Sequence, residues 1–237
     1  MRVELLRGTP EPEELVCRCA RGDYSNQWVG SDRPFEAVMD SVEGETIDEK
    51  KETLLEHLFR SGHFGPFEHP TATFAVEGVS RSCMAQLTRH RHASFDVQSL
   101  RYTEVTGDPR ELFCFPPSLS DQEIVSREGV SEVSLSADER EALAEELYEF
   151  SIEAYERLID AGVPKEDARM VLPLGTMVNL TFTMNARSLM HLLDMRLKGD
   201  AQWEVRELSN GVLDECKEWM PRTFERYEDN HPNKLTP

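Results

Sequence analysis

Two segments of strict alternation, residues 71–79 and 176–184, each run directly into a helix start, and this pairing most limits the folds open to the chain. In the first, Ala72, Phe74 and Val76 share one side. In the second, Val178, Leu180, Phe182 and Met184 stand opposite Asn179, Thr181 and Thr183. A period of two marks half-buried strands. Ser80 and Asn185 then fall where helix caps belong, because a side-chain oxygen there accepts from an N–H that the first helical turn leaves open. Thr46 with Glu49, and Ser136 with Glu139, form capping boxes. The first opens a helix carrying Ile47, Leu54, Leu55, Leu58 and Phe59 and stopped by Gly62. The second opens one that repeats Leu143, Leu147, Phe150, Ala154 and Leu158 as its apolar stripe and is stopped by Gly162.

Shorter helices are expected over residues 12–20, after Ser80 with Cys83, Met84 and Leu87 inward, from Pro164 to Pro173, and from Asn185 to about Leu197. Asp200 is read as the cap of another, carrying Val205, Leu208, Val212, Cys216 and Trp219 and ended by Pro221. Residues 3–5 and 112–115 read as short strands, residues 22–45 as loop with some helix, and residues 93–110 as loop with short extended pieces. Few strands, long helices and no regular β-α alternation predict an α+β fold. We expect a single domain over residues 1–237, with a small mixed or antiparallel sheet flanked by long helices and a loose tail over 228–237.

Charge narrows the partners. The 237 residues carry 45 Asp+Glu against 26 Lys+Arg, a net charge of −19, which opposes nucleic acid polymers and anionic membranes. No stretch has the apolar length of a membrane span, and Met1-Arg2-Val3-Glu4 does not start a signal peptide. Cys17, Cys19, Cys83, Cys114 and Cys216 are scattered without a C-x-x-C pair, as in a reduced, cytoplasmic chain. Only six of the basic residues are lysines. A salt-rich cytoplasm and a GC-rich genome both account for that bias.

Against this acidic background, residues 81–102 hold four arginines (Arg81, Arg89, Arg91, Arg101) and one acid, Asp96. Guanidinium forks bind phosphate oxygens bidentately and stay charged at any pH, so the island suits a small phosphorylated ligand; surface arginines paired with neighbouring carboxylates are the plainer account. Arg89 and Arg91 flank His90 and, two residues apart, point in different directions. His90 and His92 lack an evident third ligand, and no metal is expected. Ser99 has no nearby base and is read as a hydrogen-bond donor rather than a nucleophile. In residues 62–69 the glycines and Pro66 bend the chain so that His63 and His69 can face a cavity, or simply make a turn. In residues 185–196, Arg187 and His191 share a helix face whose N-terminus, at Asn185, suits an anion. No G-x-G, P-loop or G-x-S-x-G occurs, so arginines and helix ends must hold any phosphate.

Together these clusters resemble the flavin-dependent thymidylate synthases. Arg89-His90-Arg91, seven residues, then Ser99-Leu100-Arg101 matches the family's R-H-R and Ser-x-Arg spacing. The turn from Gly62 to His69, the segment from Val163 to Pro173, Asn185 to Leu189 and Ala201 to Glu204 also look like family motifs, in the family's order. The resemblance implies reductive methylation of dUMP to dTMP, with methylenetetrahydrofolate as carbon donor and FAD, reduced by NADPH, as hydride carrier. It implies that Arg89, His90 and Arg91 hold flavin and nucleotide phosphates. Gln86, Arg89, Ser99, Arg101 and Arg169 match dUMP contacts, and Asn185, Arg187 and His191 match the flavin side. Arg196 matches the arginine that polarises the uracil, and His63 a histidine near flavin and folate. It also implies a homotetramer with sites between subunits, and no cysteine nucleophile. Asp96, Val97, His191 and Asp200 depart from the common family residues. The competing readings are a non-catalytic, arginine-lined nucleotide-binding protein, an RNA-binding module and a histidine-based metal hydrolase.

Overall fold

The computed structural model describes residues 1–120 and 135–230. In chain order it contains β1 (Arg2–Gly8), α1 (Pro12–Asp23), α2 (Phe35–Val38), α3 (Ile47–Ser61), β2 (Thr71–Ser80), α4 (Arg81–Leu87), β3 (Ser94–Val97) and α5 (Pro109–Leu112). There follow α6 (Ala137–Asp160), α7 (Lys165–Ala168), β4 (Met177–Asn185), α8 (Ala186–Arg196), α9 (Trp203–Trp219) and α10 (Pro221–Asn230), with 3-10 turns at Gly65–Glu68, Pro117–Leu119 and Arg169–Val171. Packing divides the chain into two compact units, one of residues 1–77, 86–96 and 180 onward, the other of residues 78–85 and 97–179.

The four strands form one antiparallel sheet in the order β1-β2-β4-β3, giving the expected α+β class. Val3 lies opposite Val76 and Leu5 opposite Phe74, and the hydroxyls of Thr73 and Thr183 join β2 to β4 at 2.8 Å. The alternation read from the sequence is the burial pattern: Ala72, Phe74, Val76, Val178, Leu180, Phe182 and Met184 are all buried. Phe74 stacks on Phe182 with ring centroids 5.1 Å apart. Both strand-to-helix junctions carry their caps. Ser80 Oγ accepts from the Cys83 N–H at 3.0 Å, and Asn185 Oδ1 from the Ser188 N–H at 2.8 Å.

Within the first unit, α9 packs along β1 closely enough that a Cβ on Gly211 would lie 2.9 Å from Val3. Trp219 lies across Gly8, where a Cβ would meet the indole at 2.3 Å, and its Nε1–H donates to the Thr9 carbonyl at 3.0 Å. The helix that was expected to be capped by Asp200 starts instead at Trp203, with the Gln202 side chain accepting from the Val205 N–H. Pro221 ends that helix and begins α10, so the tail expected from 228 is helical as far as Asn230, and residues 231–237 lie outside the described residues.

Within the second unit, Tyr148 of α6 stacks on Phe113 at 4.5 Å and donates to the Cys114 carbonyl at 3.0 Å, over a Gly175 that has no room for a Cβ. These contacts set the orientation of α6. Tyr148, Ile152 and Tyr155 are buried, while Leu143, Leu147 and Phe150 are 55%, 57% and 63% exposed. The first three residues of the apolar stripe therefore face outward while Ala154 and Leu158 are half-buried, because the aromatic ring at 148, one position round from Leu147, seats the helix. One further expectation changes. Leu112 closes α5, and Phe113 makes a single bridge to Thr176 in place of a strand. The short extended pieces expected within 93–110 include β3.

Candidate active site

The first unit holds a cavity of about 690 Å³ lined by Glu68, Arg89, His90, Arg91, His92, Met184, Asn185, Arg187, Ser188, His191, Met195 and Arg196. The local folding that builds it is simple. α4 stops at Leu87, and the N–H groups of Arg89 and His90 turn back onto the carbonyls of Gln86 and Leu87 at 3.4 and 3.1 Å. That turn delivers residues 89–92 to one wall. The cap at Asn185 starts α8, and helical spacing puts Arg187, His191 and Met195 on the opposite wall.

Arg196, in the last turn of α8, donates from Nε to His90 Nε2 at 3.0 Å and from Nη2 to the Gln86 carbonyl at 3.0 Å. Arg187 is ion-paired with Glu68. His191 stands edge-on to His90, with ring centroids 6.1 Å apart. Burial, then the charges of Arg196, His191 and Arg89, push the His90 pKa down to about 4, so it is neutral at pH 7. Arginines and histidines thus face one carboxylate, Glu68. Asn185 spends its side chain on its own helix start.

The donor set fits FAD. The arginines and α8's first turn suit a pyrophosphate, Met184 and Met195 offer apolar surface, and the volume falls in the range of cofactor sites. When bound, FAD supplies hydride. Among the described residues no group of three His, Cys, Asp or Glu is arranged to hold a metal ion. Burial raises the thiols of Cys17, to about 12, and of Cys19 and Cys216, which keeps them protonated and poorly nucleophilic.

The cavity gathers seven of the residues assigned to the site from the sequence: Arg89, His90, Arg91, Asn185, Arg187, His191 and Arg196. Gln86 contributes its carbonyl to Arg196. His63 is not on that wall; it lies between Asp23, at 3.4 Å, and the Tyr24 hydroxyl, at 3.5 Å. Ser99, Arg101 and Arg169 belong to the second unit. There the two arginines meet at Glu166: Arg101 pairs with its carboxylate at 2.8 Å, and Arg169 Nε donates to its backbone carbonyl at 3.1 Å. Glu68 and Glu166 had no role in the sequence reading, although both lie inside its motifs. Their signal was an acid placed among residues expected to bind anions.

An α+β fold with a cationic cavity of this kind suits phosphorylated, flavin-sized ligands. The family model described as "Thymidylate synthase complementing protein" matches residues 4–222. Flavin-dependent thymidylate synthases of Haloarcula marismortui and Halobacterium salinarum are each 51% identical to the chain, over 100% of both sequences. That of Geobacter sulfurreducens is 35% identical, over 100% of this chain and 89% of its own. The crystal structure of a UMP/dUMP methylase, PolB, from Streptomyces cacaoi bound with 5-Br dUMP superposes with a TM-score of 0.75 at 29% identity, covering 99% of this chain and 96% of that one. The chain belongs to the flavin-dependent thymidylate synthases, enzymes that methylate dUMP to dTMP with FAD as cofactor. Among the described residues no helix is long and apolar enough to cross a membrane.

Proposed function

We propose that the 690 Å³ cavity is where this enzyme seats FAD against dUMP, and that Arg196 is the group that stabilises the uracil as it reacts. The observation that carries this reading is the position of Arg196: it ends α8 inside the cavity with its guanidinium held by His90 and Gln86. A uracil ring accepting the one-carbon unit and hydride builds negative charge on its carbonyl oxygens. A fixed guanidinium stabilises that charge without reorganising. Arg89, His90, Arg91, Asn185, Arg187 and His191 hold the flavin. Gln86, Arg89, Ser99, Arg101 and Arg169 contact dUMP. His63 stands near the flavin and the folate, with Asp23 and Tyr24 holding its ring.

NADPH is the reductant and methylenetetrahydrofolate the carbon donor. The working form is a homotetramer with sites shared between subunits, and residues 1–237 act as one catalytic domain; the family match over residues 4–222 and full-length relatives support this reading. The purified protein provides the test. It should take up FAD and turn yellow, bleach with NADPH in the presence of dUMP, and transfer the label of methylenetetrahydrofolate to dUMP. Protein that never binds FAD refutes the reading. The acidic, lysine-poor surface and the relatives from halophilic archaea support a salt-rich cytoplasm as its setting. Equal Tm in molar and millimolar KCl would count against that setting.

A further inference from the structure

We infer that His90 is a positioning residue for Arg196, acting as a neutral acceptor that aims the guanidinium without cancelling its charge. The inference rests on the assignment of Arg196 to the uracil made above.

A guanidinium donates hydrogen bonds and accepts none. The 3.0 Å contact from Arg196 Nε therefore requires an unprotonated Nε2 on His90, which puts the ring's single proton on Nδ1. The second acceptor, the Gln86 carbonyl, takes Nη2 at 3.0 Å. Nε and Nη2 share one edge of the guanidinium plane. An arginine gripped along that edge loses its freedom to rotate about its last bonds, and the direction of the rest of the group is set. Both grips come from one short piece of chain, the turn that closes α4, where the His90 N–H is tied to the Leu87 carbonyl at 3.1 Å. His191 stands edge-on to the imidazole, with ring centroids 6.1 Å apart.

The chemistry explains why a histidine suits this place. A carboxylate would hold the guanidinium as firmly, but it would also offset the positive charge that the reacting uracil needs. A backbone carbonyl and a neutral imidazole give orientation alone. The imidazole must stay neutral to do this, and its surroundings favour that: Arg196, His191 and Arg89 face it, and protonation next to them is unfavourable.

The experiment uses the FAD-loaded enzyme and three variants, with dUMP affinity, kcat and KM read for each. In H90L the acceptor is removed. In H90Q an amide oxygen replaces it. In H90E the acceptor stays but is charged. We expect H90L to lower kcat at least about tenfold and to weaken dUMP, since small misplacements of a reacting group cost that much or more. H90Q should recover most of the loss. H90E should bind Arg196 yet remain slow. In a double-mutant cycle on dUMP affinity, H90L should add nothing to R196A. Additive effects of H90L and R196A, an H90Q enzyme as poor as H90L, or an H90E enzyme as fast as wild type would overturn the inference. Because His90 also belongs to the flavin set, each variant is read at saturating FAD; an H90L enzyme with wild-type kcat and dUMP affinity there would assign His90 to the cofactor alone and overturn the inference too. If H90L does not fold, H90Q against H90E decides. A fully active R196A enzyme would instead remove the assignment of Arg196 itself, so the two failures are distinguishable.

Discussion

Arg196 and Arg110 are both arginines with well-made contacts, yet their partners differ in kind. Arg110, in the second unit, reaches Glu141 at 2.6 Å and Glu145 at 3.0 Å and lies over the Phe115 ring at 4.6 Å. Those two carboxylates raise its pKa further and offset its charge, and the group serves to fasten α5 to α6. The contacts Arg196 makes with His90 and Gln86 leave its charge in place. Arg187 and Arg101 are intermediate, since each is paired with a carboxylate, Glu68 or Glu166, which in the proposed reading an incoming ligand must displace. The partner, more than the arginine, separates fastening from function.

That contrast can be broken in steps. Arg196→Ala should reduce kcat by about 10²–10³-fold while the bound flavin keeps its visible spectrum, because a preorganised charge is worth that much to the transition state. An R110A enzyme equally slow would end the comparison. Arg187→Ala should weaken FAD about 10- to 100-fold in a fluorescence titration, the range for a lost charge-assisted hydrogen bond. Arg101→Ala should raise the KM for dUMP about tenfold and leave FAD affinity unchanged. His90 adds a pH-dependent member. An unfolded histidine takes up its proton near pH 6.5, and His90 does so only near 4, so the unfolded state binds more protons between these values. Stability should therefore fall as pH drops from about 6.5 to 4, and urea titrations of H90Q should lack this part of the decline. Arg110→Ala, the smallest effect, should leave turnover unchanged and lower Tm slightly, as exposed ion pairs contribute little.

The strands β2 and β4 and the caps after them were legible because alternation and a capping side chain are local properties. The α6 stripe was legible as a helix but not as a face. Leu143, Leu147 and Phe150 repeat as core residues do, and only the stacking of Tyr148 on a distant Phe113 shows which side is seated. β3 is four residues long and half polar, so only a short extended piece without fixed bounds was legible there. Asp200 resembled a cap, but Gln202 does the capping because it directly precedes the first helical turn. In the site, residue types and walls were readable, whereas partners were not. Arg187 meets Glu68 across 119 positions, and Arg196 meets His90 across 106. No spacing rule reaches that far, so the neutral grip on Arg196 was visible only in three dimensions.

The packing of Trp219 over Gly8 equips the molecule with an optical gauge. Its indole N–H ends on the Thr9 carbonyl, directly beyond β1, whereas Trp28 already faces water. Peeling the first strand away would exchange that carbonyl for solvent and redden the emission of one tryptophan. Detachment of the N-terminal edge of the sheet can thus be followed by intrinsic fluorescence, without a label.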